Sequence, residues 1–459
     1  MFFSGKLLEK VAGSPAAALE KTINTSKHIS RSFVSRKQLG QAKEYWRSLG
    51  PGLTTGAADD DPSGITTYSQ AGAAYGFNLL WLSAFTFPLM AIIQEMCARI
   101  GLVTGRGLAA NIRQYYPKWV LLMATFLLFF ANSLNIGADL GAMAKATQLL
   151  DSHFSFTTLI LGFTMISLAL QIFTTYEKYA KYLKWLALVL LSYVFSALIV
   201  NLDWKEALQK TIIPTIVISK DQIFLITAIL GTTISPYLFF WQTSQEVEEQ
   251  ILEGKTTLKL RREETSPQEV KNMRMDVWSG MFLSNLVMFF IIAACGATLF
   301  SHGITSITTA SEAAAALRPI AGDRAYLLFA LGIIGTGLLA VPILAGSASY
   351  AISESFGWKL GLYRKLKEAN AFYGVIIIST GIGLLINFIG LDPIKALIYS
   401  AVLNGLISPV ILILIVLMSS NVKIMGRWVN NKIVIFLGWV ITGIMTLAGV
   451  ATIISLFIA

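Results

Sequence analysis

Three consecutive carboxylates followed by a proline, Asp59-Asp60-Asp61-Pro62-Ser63-Gly64, interrupt an apolar segment over residues 52–76 that is long enough to cross a bilayer. A single such charge at the bilayer centre costs about 2.5–3.5 kcal/mol on insertion scales, so three of them are hard to explain as packing. Pro62 removes a backbone donor and clashes with the preceding turn, which predicts a broken helix. Ser63 and Gly64 let the chain unwind there without bulk. Interrupted backbone at membrane depth persists only where protein or a water-filled cavity satisfies its polar groups. A buried acid beside unwound carbonyls is a cation site, and Asp61 can at the same time cap a half-helix that starts at Pro62.

The rest of the chain supplies the setting for that break. Of 459 residues, 55% are hydrophobic and only 14% charged, which describes a polytopic all-helical membrane protein. The net charge of +10 does not point to nucleic acid, because the basic residues fall in loops between apolar spans. Eleven spans are predicted, at 52–76, 79–101, 119–146, 156–174, 182–201, 220–245, 276–300, 325–350, 372–390, 394–418 and 433–457. Alternate loops are basic: Arg99 to Lys118, Lys178 to Lys184, Lys255 to Arg274, Lys359 to Lys367 and Lys423 to Lys432. The opposite loops carry little positive charge, so the expectation is a multi-pass plasma-membrane protein with a cytoplasmic N-terminus and an external C-terminus. Residues 1–50 read as a solvated cytoplasmic extension without a signal peptide, 51–201 as a first five-helix unit, 202–418 as a second, and 419–459 as an eleventh helix. Cys97 and Cys295 fall in apolar spans and read as buried hydrophobes. The charged stretch 246–275 reads as a solvated helix, with Glu246 and Glu248 lining an inner vestibule as the alternative.

The sixth span is interrupted in the same manner, at Gly231-Thr232-Thr233-Ile234-Ser235-Pro236-Tyr237. Paired interruptions in corresponding halves of a transporter mark its binding site, whereas a lone proline is only a kink. The expected architecture is therefore two five-helix units of inverted topology plus one further helix, with the half-helix ends meeting at the midplane. Asn132, Asn135 and Asp139 share one face of the third span, and Asp139 either lines a cation path or pairs with Lys145. Glu95 and Arg99 read as a helix-surface pair, and Asn404 in the tenth span can offer an amide oxygen to the cavity. Asp59 and Asp60 fan out from Asp61 at about 100° per residue, which places one of them on an aqueous vestibule.

Several stretches together resemble the NRAMP family of divalent-metal transporters over nearly all of the span region. They are Gly50-Pro51-Gly52, Asp61-Pro62, Gln70-Ala71-Gly72-Ala73, Tyr75-Gly76 and Ala98-Arg99-Ile100-Gly101-Leu102-Val103-Thr104-Gly105. The resemblance implies a LeuT-type fold with broken helices 1 and 6 and assigns Asp61 as the principal metal carboxylate. The departures resemble the family's magnesium-transporting branch. The family's Asp-Pro-Gly-Asn is here Asp61-Pro62-Ser63-Gly64, and its Met-Pro-His is Ser235-Pro236-Tyr237. A soft thioether favours transition metals, so a set of Asp61, Ser235 and unwound carbonyls such as that of Thr232 suits hard Mg²⁺ while still admitting Mn²⁺. Gly64 then leaves room beside Asp61 for a partly hydrated ion. His28, His153 and His302 all lie outside span interiors, which together with the branch resemblance implies transport without proton coupling. The alternative is a proton-coupled Mn²⁺/Fe²⁺ importer of the ordinary family type. No H-E-x-x-H or G-x-S-x-G pattern points to an enzyme, and no cofactor is expected; the partners are divalent ions and the bilayer. The acid cluster argues against an anionic organic substrate, and paired broken helices argue against a channel.

Overall fold

Every predicted span is helical in the computed structural model, which describes residues 49–200, 202–216, 219–307, 310–389 and 393–457. The extension predicted at 1–50 lies almost wholly outside the described residues. The first span is two half-helices, α1 (Pro51–Asp59) and α2 (Pro62–Tyr75). There follow α3 (Trp81–Thr104), the short α4 (Leu108–Tyr115), α5 (Lys118–Leu150) and α6 (Phe156–Phe173). The fifth span is α7 (Tyr176–Leu186) joined through a tight turn to α8 (Leu191–Ile199), and α9 (Trp204–Ile212) connects it to the sixth. That sixth span is again divided, into α10 (Lys220–Thr233) and α11 (Pro236–Leu252). The remainder is α12 (Leu258–Glu263), α13 (Pro267–Thr298), α14 (Ala310–Phe356), α15 (Asn370–Ile386), α16 (Pro393–Ser419), α17 (Val422–Met425) and α18 (Lys432–Phe457). Among the described residues nine helical runs are long and apolar enough to cross a membrane; α15 has 17 residues, and the divided first span completes the set of eleven.

The same local chemistry makes both breaks. Proline opens the second half-helix in each, at Pro62 and Pro236, where its missing N–H belongs to the unpaired first turn anyway. The residues before them leave helical geometry, with φ −85° and ψ 47° at Asp60 and φ −111° and ψ 60° at Ile234. The two breaks then meet. The Tyr237 hydroxyl donates to the Ala58 carbonyl at 2.8 Å, which ties the start of α11 to the end of α1.

Two long helices carry this junction. α13 runs along α1, α2 and α3, while α5 packs on α14, α15 and α16. The basic loops gather at one end: Arg261 Nε donates to the Gly105 carbonyl, Gln250 to the Leu102 carbonyl and Arg427 to the Thr265 carbonyl. At the other end the Ile307 amide donates to the Gln70 side chain.

Three expectations change. Residues 246–275 are not one solvated helix: α11 continues to Leu252 with Glu246 and Glu248 buried, α12 is a separate short helix, and α13 starts at Pro267. Glu248 accepts from the Tyr350 hydroxyl and from the Leu362 and Tyr363 amides, and Gln242 donates to Glu246, so these acids are held by donors rather than by water. Glu95 pairs with Arg99 as expected, but also with Arg274 and the Trp278 indole, and Glu95 and Arg99 are buried, with only Arg274 exposed, rather than on a solvated surface. The eighth span extends back to Ala310 with a non-helical Gly322 at φ +83°, a left-handed backbone that glycine alone adopts readily. Cys97 and Cys295 are buried and free, in line with their apolar setting.

Backbone contacts between spans depend on glycine. A Cβ on Gly137 of α5 would lie 2.6 Å from the Gly383 carbonyl of α15. Gly137→Val should therefore force α15 outward and cost about 1–3 kcal/mol or more. Thermal unfolding in detergent checks this, and an unchanged midpoint would show that the crossing can relax.

Candidate metal site

The junction of the four half-helices is built around Asp61. Its extended backbone at φ −66° and ψ 169° makes it the N-cap of α2. Asp61 Oδ1 accepts from the Ser63 hydroxyl at 2.5 Å and the Gly64 amide at 2.8 Å. Asp61 Oδ2 has only a long contact, 3.5 Å, from the Tyr237 hydroxyl. One carboxylate oxygen thus serves the cap while the other faces the opposite broken helix.

Across the break, the Ser235 hydroxyl donates to the Gly231 and Thr232 carbonyls, both at 2.7 Å. Its proton is directed back into α10, and its oxygen remains able to accept. Ser408 of α16 donates to the Ile234 carbonyl at 2.6 Å, and one turn earlier on α16 the buried Asn404 has a side-chain oxygen without a donor. α16 thus supports the second break with a hydroxyl and presents an amide near it.

The other acids lie close by and are buried. Asp59 Oδ2 accepts from Ser284 of α13 at 2.8 Å, while Asp59 Oδ1 and both Asp60 oxygens have no hydrogen-bond partner among the described residues. Both residues are 0% exposed, so neither occupies the aqueous vestibule that the sequence suggested. The carboxylates are shut in by α13 packing along α1. Asp139 is also fully buried, within electrostatic reach of Asp61 and of the Ser63 amide, and neither of its oxygens has a donor. The alternative ion pair with Lys145 is not formed: that ammonium lies over the Phe156 ring at 5.2 Å. Asn132 donates to the Leu344 carbonyl of α14 and Asn135 pairs with Ser400 of α16, so the polar face of α5 serves several neighbours.

Gly64 behaves differently from the expectation. It sits inside α2 with its amide given to Asp61, and a Cβ there would lie 3.0 Å from the Asp59 carbonyl and 3.2 Å from Thr232 Oγ1. The absent side chain therefore lets α2 lie close to the end of α1 and to Thr232 of α10, so the position of the missing Cβ is not open space. Sequence reasoning missed Ser284, and it missed Asp276, whose carboxylate binds the start of α1. The available signal was their spacing: Asp276, Gly280 and Ser284 recur every four residues on α13 and match Gly52 and Gly56 on α1.

Taken together, the junction concentrates buried oxygen acceptors that lack donors, which inside a protein is costly unless a cation or water completes them. Among the described residues no three His, Cys, Asp or Glu side chains form a metal cluster, so the donors on offer are carboxylate, hydroxyl and carbonyl oxygens from several elements. Gly64→Ala tests the close approach. The added methyl should lower stability by about 1–3 kcal/mol, measured by thermal unfolding, and a neutral effect would show that α2 and α10 part easily.

The model of the natural resistance-associated macrophage protein-like family, Nramp, matches residues 52–455. The divalent metal cation transporter MntH of Klebsiella pneumoniae subsp. pneumoniae is 28% identical over 410 residues, covering 86% of this chain and 91% of that protein. Among solved structures, the crystal structure of the Eremococcus coleocola manganese transporter with an aromatic bis-isothiourea substituted compound superposes with a TM-score of 0.69 at 18% identity, over 89% of this chain and 86% of that one. Mhp1, a nucleobase-cation-symport-1 family transporter, superposes with a TM-score of 0.57 at 12% identity, over 88% of this chain and 91% of the other. The fold is therefore LeuT-type, with two inverted five-helix repeats, an eleventh helix and broken helices 1 and 6.

Proposed function

The chain belongs to the Nramp family, and we propose that within it the protein carries Mg²⁺ and Mn²⁺ across the membrane by alternating access, without proton coupling. Transport of divalent metal ions is what the family and the MntH relative support. The choice of ion rests on the donors. At the two breaks the side chains that face the junction, Asp61, Ser235 and Tyr237, offer only oxygen. A hard dication takes such donors, while a soft thioether at position 235 would favour later transition metals.

The observation that carries the reading is Asp61 Oδ2, directed at the second break with only the 3.5 Å contact from Tyr237, amid buried acceptors of Asp59, Asp60, Asp139 and Asn404 that lack donors. Asp61, Ser235 and the Thr232 carbonyl are the proposed ligands. Asp59, Asp60, Asp139, Tyr237 and Asn404 shape the field and the path around them. Mg²⁺ dehydrates reluctantly, so retained water needs α2 to withdraw from α10, and the closed contact at Gly64 belongs to a shut state of the cycle. The basic loops gathered at one end support a cytoplasmic N-terminus and an external C-terminus, and the plasma membrane is the proposed location. Among the described residues, His153 lies in the turn after α5 and His302 in a single 3-10 turn after α13, so neither stands at the breaks to relay protons.

Asp61→Ala should abolish Mn²⁺ uptake into proteoliposomes while leaving a folded protein, and uptake at the unaltered rate would remove the site assignment. Calorimetric titration of purified protein with Mg²⁺ and Mn²⁺ should show both binding. Ser235→Met should cut the preference for Mg²⁺ by about tenfold, or ~1.4 kcal/mol. If excess Mg²⁺ leaves Mn²⁺ uptake untouched, or if uptake acidifies the lumen, the protein is instead a proton-coupled importer of the ordinary kind.

A further inference from the structure

The first half-helix is attached to the rest of the protein in an unusual way. α1 begins at Pro51, its N-cap residue Gly50 has no side chain, and its first-turn amides have no local acceptor. They are satisfied from another helix. Asp276 on α13 accepts from the Gly50 amide at 2.8 Å, the Gly52 amide at 2.7 Å and the Leu53 amide at 3.1 Å. Its carboxylate is buried and sits at the positive end of the α1 dipole, where negative charge is favoured.

One turn along α13 the contact becomes backbone on backbone. A Cβ on Gly56 would lie 2.2 Å from the Gly280 carbonyl, and one on Gly280 would lie 2.0 Å from the Gly52 carbonyl. One turn further, Ser284 donates to Asp59. Asp276, Gly280 and Ser284 thus form a single face that follows α1 from its first residue to the acids. Between its two polar ends the seam consists of glycine, so no interlocking side chains hold α1 there. Along this seam α1 is held by the hydrogen bonds at its two ends, and Tyr237 of α11 adds one more to the Ala58 carbonyl.

We propose that Asp276 is the latch that positions α1 against α13 and keeps the junction shut from the basic-loop end of the molecule. Release of its three amide bonds frees α1 to move off the glycine seam and opens a path to the acids. Asp276 touches no transported ion; it acts through the helix that ends in Asp59. Other charged groups face this region: Lys184 of α7 and Glu246 and Glu249 of α11 lie within electrostatic reach of Asp276. The hydrogen-bonding set at the latch nevertheless comes from the α1 backbone alone among the described contacts. The inference rests on the transport reading only in that α1 moves, and its test needs no metal.

The experiment uses the full chain in proteoliposomes, with Cys97 and Cys295 replaced by alanine and a single reporter Ala57→Cys on α1. A membrane-impermeant thiol reagent is applied from the basic-loop side. Ala57 is fully buried, so the parent should label slowly. Asp276→Asn keeps the shape but loses the charge that accepts three donors, and it should raise the labelling rate about tenfold or more. Asp276→Glu, which restores a carboxylate, should return part of the protection. A control reporter, Ala144→Cys at an equally buried position toward the C-terminal end of α5, should stay protected in every variant. Unchanged labelling at position 57 in the Asn variant would overturn the latch. Equal exposure of both reporters would overturn it too, because Asp276 would then serve overall folding and not the position of α1.

Discussion

Backbone that leaves the helix inside a membrane protein must find partners within the protein, and this requirement organises the whole molecule. The structure meets it at two places that lean on each other. Asp61 caps α2, Ser235 turns its hydroxyl into α10, Ser408 supports the Ile234 carbonyl, and Tyr237 reaches across to the end of α1. The Tyr237–Ala58 bond thus joins the two breaks directly. Once they are satisfied, what remains is a surplus of oxygen acceptors among clustered buried carboxyl groups. That surplus is what makes the junction suited to a cation.

Small residues decide how the supporting helices approach. Gly52, Gly56 and Gly280 let α1 lie directly on α13, and Gly137 and Gly383 do the same for α5 and α15. In the first seam the contact ends in hydrogen bonds at both ends, which are strong in a low dielectric yet can be exchanged for water when the region opens. In the second seam the Asn387 amide donates to the Gly137 carbonyl across the crossing and adds one bond to close packing. A moving half-helix and a fixed scaffold can therefore be built from the same residue type, with the polar ends making the difference. This is why Asp276 is proposed as a latch and Gly137 is treated as scaffold.

Much of this was readable beforehand. Pro62 and Pro236 have a direct local effect on the backbone, and apolar runs of bilayer length announce helices without reference to neighbours. Asp61 was legible as a cap because capping is decided within three residues. The faces of charged residues were not legible. Glu246 and Glu248 looked like a solvated run because sequence shows charge but not the Tyr350 hydroxyl and the Leu362 and Tyr363 amides that receive Glu248. Asp139 had Lys145 further along the same helix as its alternative partner, yet the ammonium turns to Phe156. Gly64 was read as lost volume, and in the structure the partner helix moved in to occupy it.

From the chain alone one can derive the number of spans, the two interruptions, the acid that caps the second half-helix and the oxygen character of the residues beside it, since these depend on local stereochemistry and solvation. Tertiary structure alone decided that Asp59 and Asp60 are sealed from water, that Ser284 and Asp276 address the first half-helix, and that Ser408 supports the second break. Those facts depend on which faces of distant helices meet. That is a matter of packing between residues more than two hundred positions apart, and no periodicity within a single segment contains it.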